Sequence, residues 1–206
     1  SYTNTFLRLH LNVRTQNDVK WLSLSHWDKC NGEVSDALLA GRKCWGALDL
    51  SSKFDITVYL LLFPPTENDH LYRIRPWFFI PEDNARQRER RDRVPYTTWA
   101  KQGLLTMTPG NRIDYDFVKE TIRNSVKQFD IQDIAYDPWN ATQIALQLQE
   151  EGAVMVEFGQ GFRSMSEPTK ELESLVLGGK IAHGGNEVLR WMASNTTLET
   201  DAAGNV

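Results

Sequence analysis

The chain has little cysteine, no long hydrophobic run and no excess of basic charge, and each lack removes a class of function. Its 206 residues hold only two cysteines, Cys30 and Cys44. They form no CxxC pair, which fits neither a zinc site nor a disulfide scaffold, and they read as reduced thiols of a cytosolic protein. No stretch approaches the roughly 20 apolar residues of a membrane span, so no membrane partner is expected. The longest mostly apolar run, Ile56 to Phe63, is the size of a strand. The polar N-terminus lacks the hydrophobic segment of a signal peptide. A chain opening on Ser1 is expected to be a processed product or a piece excised from a longer protein. With 23 Lys and Arg against 27 Asp and Glu, the formal net charge is −4. No global basic field exists, so any nucleic-acid contact must come from a local patch. A GxxxxGK[ST] phosphate loop is also missing, and Gly178-Gly179-Lys180 reads as a helix end and turn. The chain is therefore expected to hold no ATP site.

What is present is a hydrophobic fraction of 41%, enough for one good-sized domain with a real core. Two lone carboxylates close apolar runs in it. Asp49 ends Cys44-Trp45-Gly46-Ala47-Leu48, and Asp137 ends Ile131-Gln132-Asp133-Ile134-Ala135-Tyr136. Taken singly, an Asp at a strand end is ordinarily a turn residue. An acid closing a buried strand is nevertheless costly unless a cation or hydrogen bonds compensate it. Two such acids on neighbouring strands make a hard oxygen-ligand site for Mg²⁺ or Mn²⁺, the core of a two-metal phosphodiesterase.

The order of elements makes neighbours of those strands. Cys44–Ser51, Asp55–Phe63 and Leu71–Ile80 read as three strands joined by the short links Ser52-Lys53-Phe54 and Thr66–His70, which suit antiparallel hairpins. Pro76 marks an edge or bend in the third. Helical periodicity follows over Glu82–Arg93 and Asp116–Phe129. The strand Ile131–Tyr136 then leads into a helix with Asn140 as N-cap and Gln143 three residues on. Ala153–Phe158 is a further strand, and helices over Pro168–Leu177 and Glu187–Ala193 close the chain. A meander followed by strands alternating with helices predicts an α/β mixed sheet flanked by helices, with the fourth strand parallel beside the first. Asp49 and Asp137 would then project from adjacent strands at one end of the sheet, the layout of the RNase H-like (retroviral-integrase-like) fold.

On these residues the chain resembles the C-terminal nuclease domain of the large terminase subunit of tailed bacteriophages. The resemblance runs through Trp45–Ser51, Trp99-Ala100-Lys101-Gln102-Gly103 and Thr108-Pro109-Gly110. It continues in Tyr136-Asp137-Pro138-Trp139-Asn140-Ala141, then Gly179–Asn186, and finally Leu189-Arg190-Trp191. It implies a metal-dependent endonuclease that cuts concatemeric viral DNA, with Asp49 and Asp137 as catalytic metal ligands. Residues 1–43 would be a lead-in segment following an absent packaging ATPase, and 44–206 the nuclease domain. Double-stranded DNA, a portal protein and a small terminase subunit are the implied partners. The implied place of work is the host bacterial cytoplasm, at the procapsid portal. The family usually places a third acid on a helix beyond the segment matching Trp191–Val206. Asp201, in a Gly/Ala-rich tail, does not occupy that helix, so a second metal and the activity of this chain alone are expected to be weak.

Secondary candidates surround the pair. Asp55 and His183 are possible supports of the metal site, against plain roles as a hairpin residue and a turn histidine beside Gly184-Gly185. Glu157, ending a strand, is more often solvated than functional. Arg86, Arg88, Arg90, Arg91 and Arg93 form the one basic patch, a DNA guide or a solvated helix face. Trp77, Phe78 and Phe79 read as core and edge rather than a base-stacking platform. Three functional readings remain open on the residues alone: a terminase-type nuclease, a non-catalytic DNA or portal docking module, and another RNase H-like enzyme such as a resolvase or transposase.

Overall fold

The structure, a computed structural model, describes residues 21–51, 55–83 and 85–206. Residues 1–20 of the expected lead-in and the expected hairpin link Ser52-Lys53-Phe54 lie outside that range. A short helix α1 (Leu24–Trp27), a 3-10 turn (Asp28–Cys30) and a second short helix α2 (Asp36–Leu39) come first. Strands β1 (Lys43–Asp49), β2 (Thr57–Phe63) and β3 (Tyr72–Pro81) form the expected antiparallel meander. Then come α3 (Ala85–Asp92), α4 (Tyr96–Lys101), β4 (Thr106–Thr108), α5 (Tyr115–Gln128), β5 (Asp130–Tyr136) and α6 (Pro138–Glu150). The chain ends with β6 (Met155–Glu157), α7 (Phe162–Leu177), β7 (Ile181–Ala182) and α8 (Glu187–Asn195).

These strands make one seven-stranded mixed sheet in the order β4-β3-β2-β1-β5-β6, with β7 also on β3. The expected parallel pairing of β5 beside β1 is observed. β7 and β4 share one edge of β3, pairing with Tyr72–Arg73 and with Phe79–Pro81. Pro76 falls in the stretch between them, where a residue without an N–H leaves no ladder bond unmade.

Strand alternation sorts the core into two faces. Tyr59, Leu61 and Phe63 of β2 join Cys44, Leu48, Ile134 and Tyr136 under α5 (Val118, Ile122) and α6 (Ile144, Ala145, Leu148). The opposite side of β2 and β3, with Val58, Phe78 and Ile80, packs on Tyr96, Trp99 and Val188. Beside it, Ile74 meets Val176 and Ala193, together with Leu22, Trp27 and Cys30 of the lead-in, so residues from 21 onward are built into the core. Cys30 and Cys44 are both buried free thiols. Phe78 and Phe79 are buried, as core residues should be.

Two helix starts differ from the sequence reading, and three short elements are not legible in it. Helix α6 starts earlier than expected: Asp137, not Asn140, is its N-cap, and Pro138 stands in the first turn, where its missing N–H is harmless. Helix α7 begins at Phe162 behind a Gly161 N-cap, so Pro168 lies inside the helix rather than at its start. The short elements α4, β4 and β7 are held by tertiary packing and carry too little periodicity to be read locally.

Candidate metal centre

Parallel pairing of β1 and β5 sets Leu48 opposite Tyr136, so Asp49 and Asp137 are the next residues on two strands that run roughly 4.8 Å apart. That match depends on an irregularity. Cys44 pairs with Ile131, yet Gly46 pairs with Ile134, so β5 spends one extra residue over this stretch. Without this bulge Asp49 would face Tyr136, and the two acids would be staggered on opposite faces. Gly46 permits the close approach: a Cβ there would stand 2.8 Å from Ile134 Cγ1. Asp49 points away from the α5–α6 core, as do Ala47 and Ala135, and these two small residues leave a cleft of about 120 Å³ between the acids, Val58, Leu60, Phe158 and Gln160.

Both acids are anchored by main chain. The segment after Asp49 is tied down by Ser51, whose N–H donates to Thr57 Oγ1 (3.0 Å) and whose carbonyl accepts from Tyr115 Oη (3.2 Å). Asp137 Oδ1 accepts from Trp139 N–H (3.1 Å) at the positive end of α6. Desolvation in the cleft raises the Asp49 pKa, and the negative charge of Asp137 raises it further. A Gln160 side-chain hydrogen bond works the other way, and Asp55 adds a smaller upward push. The Asp49 side chain keeps an exposed face, so this is a carboxylate set low in an open cleft and not one sealed in the core. Like charges crowded together in this way are what a bound cation relieves. The donor chemistry, two carboxylates with room for water, fits a hard divalent ion. Among the described residues no group of three or more His, Cys, Asp and Glu side chains is arranged to hold one.

The remaining candidates divide. Asp55 is exposed and close enough to act on Asp49. His183 is a correction: it lies beyond β7, at the opposite end of the sheet from Asp49, and is buried. Its ring stacks on Trp27 at 4.4 Å, Nδ1 accepts from Gly185 N–H, and Nε2 donates to the Trp27 carbonyl at 2.8 Å. Burial lowers its pKa, as suits a neutral structural imidazole. Glu157 is exposed and accepts from Tyr136 Oη (3.3 Å), outside the residues lining the cleft. Asp201 is occupied within its own tail by Ala203 N–H, Asn205 N–H and the Asn205 amide. In the basic helix Arg88 is also a correction: it is buried, its guanidinium 5.1 Å from the Tyr96 ring centroid. Arg91 pairs with Asp92 at 2.6 Å. Arg86, Arg90, Arg91 and Arg93 are exposed. Sequence reasoning missed Gln160, and the Gly159-Gln160-Gly161 turn after an expected strand was the signal available.

A mixed sheet of this order, helix-covered and with two acids at the ends of its central parallel pair, is an RNase H-like fold. The chain belongs to the family of terminase large subunit endonuclease domains, whose family model matches residues 1–206. It is 37% identical to the large terminase subunit of Enterobacteria phage HK97, over all of this chain and 40% of that protein. It is 28% identical to protein YmfN of Escherichia coli K12, over 96% of this chain and 45% of that protein. The chain thus spans less than half the length of both relatives. The crystal structure of the HK97 large terminase superposes with a TM-score of 0.82 at 34% identity, covering 99% of this chain and 42% of the other. That of the large terminase nuclease from thermophilic phage G20c gives 0.52 at 12% identity over 82% and 74%, a likeness of fold.

Proposed function

We propose that this chain is a metal-dependent DNA endonuclease domain that cuts concatemeric double-stranded phage DNA during packaging. The observation that carries the reading is the pair Asp49 and Asp137, level at the ends of adjacent parallel strands and crowding each other's charge. Asp49, on the central strand, and Asp137, whose Oδ1 is oriented by the Trp139 N–H, are the residues that would hold the ions. When bound, Mg²⁺ or Mn²⁺ supplies an activated water and steadies the leaving 3′ oxygen. The exposed Arg86, Arg90, Arg91 and Arg93 give DNA phosphates a local basic face on an otherwise acidic chain. In the longer protein, residues 1–43 follow a packaging ATPase, and the portal and small terminase subunit are partners at the procapsid, in the host cytoplasm.

Nicking of supercoiled plasmid by this chain in Mg²⁺, in Mn²⁺ and in EDTA tests the reading. Cleavage is expected with metal, better in Mn²⁺ than in Mg²⁺, and is expected to vanish in EDTA and in Asp49→Asn or Asp137→Asn. The lack of a third acidic ligand among the described residues favours a second reading, a DNA or portal docking module. DNA binding with no metal-dependent cutting would establish that module instead. Preference for four-way junctions would point to a resolvase, and strand joining to a transposase.

A further inference from the structure

We propose that Gln160 is a positioning residue of the acid pair: from its turn after β6 it holds the Asp49 carboxylate in the orientation from which that carboxylate takes a divalent cation. The inference rests on the metal-site reading above and adds a residue to it.

Gln160 lines the same cleft as Asp49 and Asp137, with its carboxamide placed to act on the Asp49 carboxyl as a hydrogen-bonding neighbour. Toward an ionised carboxylate the amide can act only as donor. The main chain on both sides of Gln160 is pinned. Phe158 N–H donates to the Tyr136 carbonyl at 2.9 Å, continuing the β5–β6 ladder beyond β6. The Gly161 carbonyl accepts from Ser164 and Met165 N–H, both at 3.0 Å, in the first turn of α7. Between the anchors stand Gly159, Gln160 and Gly161, so Gln160 carries the turn's one functional side chain. The turn is thereby set over the strand ends that carry the acids, because Tyr136 immediately precedes Asp137.

A neutral amide suits this task for an electrostatic reason. A Lys or Arg at the position would neutralise Asp49 and compete with the cation, and an acid would add to the crowding that Asp137 and Asp55 already impose. An amide donor fixes the carboxylate and leaves its charge for the metal. Groups that hydrogen-bond a ligating carboxylate typically change metal affinity by about 10- to 100-fold when removed.

The test is Mn²⁺ binding followed by the loss of the free-ion electron paramagnetic resonance signal, on the parent chain and on Gln160→Leu. The variant is expected to bind Mn²⁺ about tenfold more weakly or worse. Its KM for duplex DNA at saturating Mn²⁺ should stay within about twofold of the parent's, because the proposed role is exercised through the metal. Gln160 is exposed, so melting in EDTA should be unchanged. Equal Mn²⁺ affinity in the two proteins would overturn the proposal, and a raised KM with equal affinity would make Gln160 a DNA contact instead. If the parent binds no Mn²⁺, or binds it equally after Asp137→Asn, the acid-pair reading falls and this inference with it. A parent that binds while only Gln160→Leu behaves normally removes this inference alone.

Discussion

At the scale of single residues, the chain has separated groups it uses for structure from groups left open for chemistry. His183 and Arg88 are polar and buried, the first stacked on Trp27 and hydrogen-bonded to its carbonyl, the second set over the Tyr96 ring. Asp49 has the contrary character: its strongest charged neighbour, Asp137, repels it. Removing that repulsion should stabilise the metal-free fold. Asp49→Asn is therefore expected to melt in EDTA at or above the parent temperature while losing all cleavage, and a scanning melt beside a nicking assay checks both halves. A lowered melting temperature would mean that Asp49 is structural. Trp139 is 86% exposed two residues beyond Asp137. On the proposed function, a large aromatic left in water beside the acids fits a role in contacting DNA. Trp139→Ala is expected to weaken duplex binding in a fluorescence-polarisation titration without lowering the melting temperature.

At the scale of elements, the sheet fixes the site through register. The extra residue in β5 brings Asp137 level with Asp49, and Gly46 allows β1 and β5 to close over it. A Cβ 2.8 Å from Ile134 Cγ1 forces one strand to shift. Gly46→Ala should cost about 1–3 kcal/mol, the usual range for overpacking, measured by urea denaturation. A double-mutant cycle with Ile134→Ala, which removes both Cγ atoms that the new Cβ would meet, should show favourable coupling between the two changes. Helix α3 and Arg93 behind it would offer DNA a narrower face than the five arginines of the segment suggest. Replacing exposed Arg86 and Arg90 with Ala is expected to reduce the salt slope of duplex binding by about one unit per lost phosphate contact. Arg88→Ala should act on stability instead, by uncovering Tyr96. An unchanged slope after Arg86→Ala and Arg90→Ala would leave the helix as a solvated face.

At the scale of the whole molecule, the end of the sheet remote from the acids is closed by a charged clip. Asp69 accepts from Arg73 and Arg42, both at 2.6 Å. Arg42 also donates to the Pro64 carbonyl at 2.8 Å, and Arg73 to the Glu33 carbonyl, so the lead-in, β1, β2 and β3 meet there. The Arg73 hydrogen bond holds the Asp69 carboxyl far below the usual range, with Arg42 and Leu71 N–H adding to it against desolvation. A carboxylate whose pKa is depressed on folding contributes stability that is present above its unfolded value, near 3.9, and is lost as pH falls toward the folded value. Asp69→Asn should thus cost on the order of 1–2 kcal/mol at neutral pH. The gap between variant and parent should narrow below about pH 4. Urea denaturation at pH 7 and pH 3 reads this directly, and a gap independent of pH would assign the loss to packing. The clip and the acid pair occupy opposite ends of one sheet, so the clip can stiffen the fold without crowding the cleft.

Local sequence determined the parts that depend on a few adjacent residues. Alternating apolar runs ending in Asp49 and Asp137, the β1–β2–β3 meander, and the helical stripes of α5 and α6 could all be read from side-chain type and period, and the parallel β1–β5 pairing followed from their order. Asp137 as N-cap with Pro138 behind it was equally local, yet Asn140 and Gln143 imitated a cap and drew the boundary inward. Tertiary structure decided the rest, because those features turn on which distant segments come to lie together. The bulge that levels the two acids exists only in the pairing of β5 with β1. Gln160 reaches Asp49 only because β6 docks beside β5. Arg88 and His183 looked like solvent-facing chemistry until Tyr96 and Trp27 covered them. A charged or titratable residue has the same appearance in sequence whether it is bound for water, a metal or an aromatic wall, and only the packing of remote elements, which sets its solvation and its partners, decides among them.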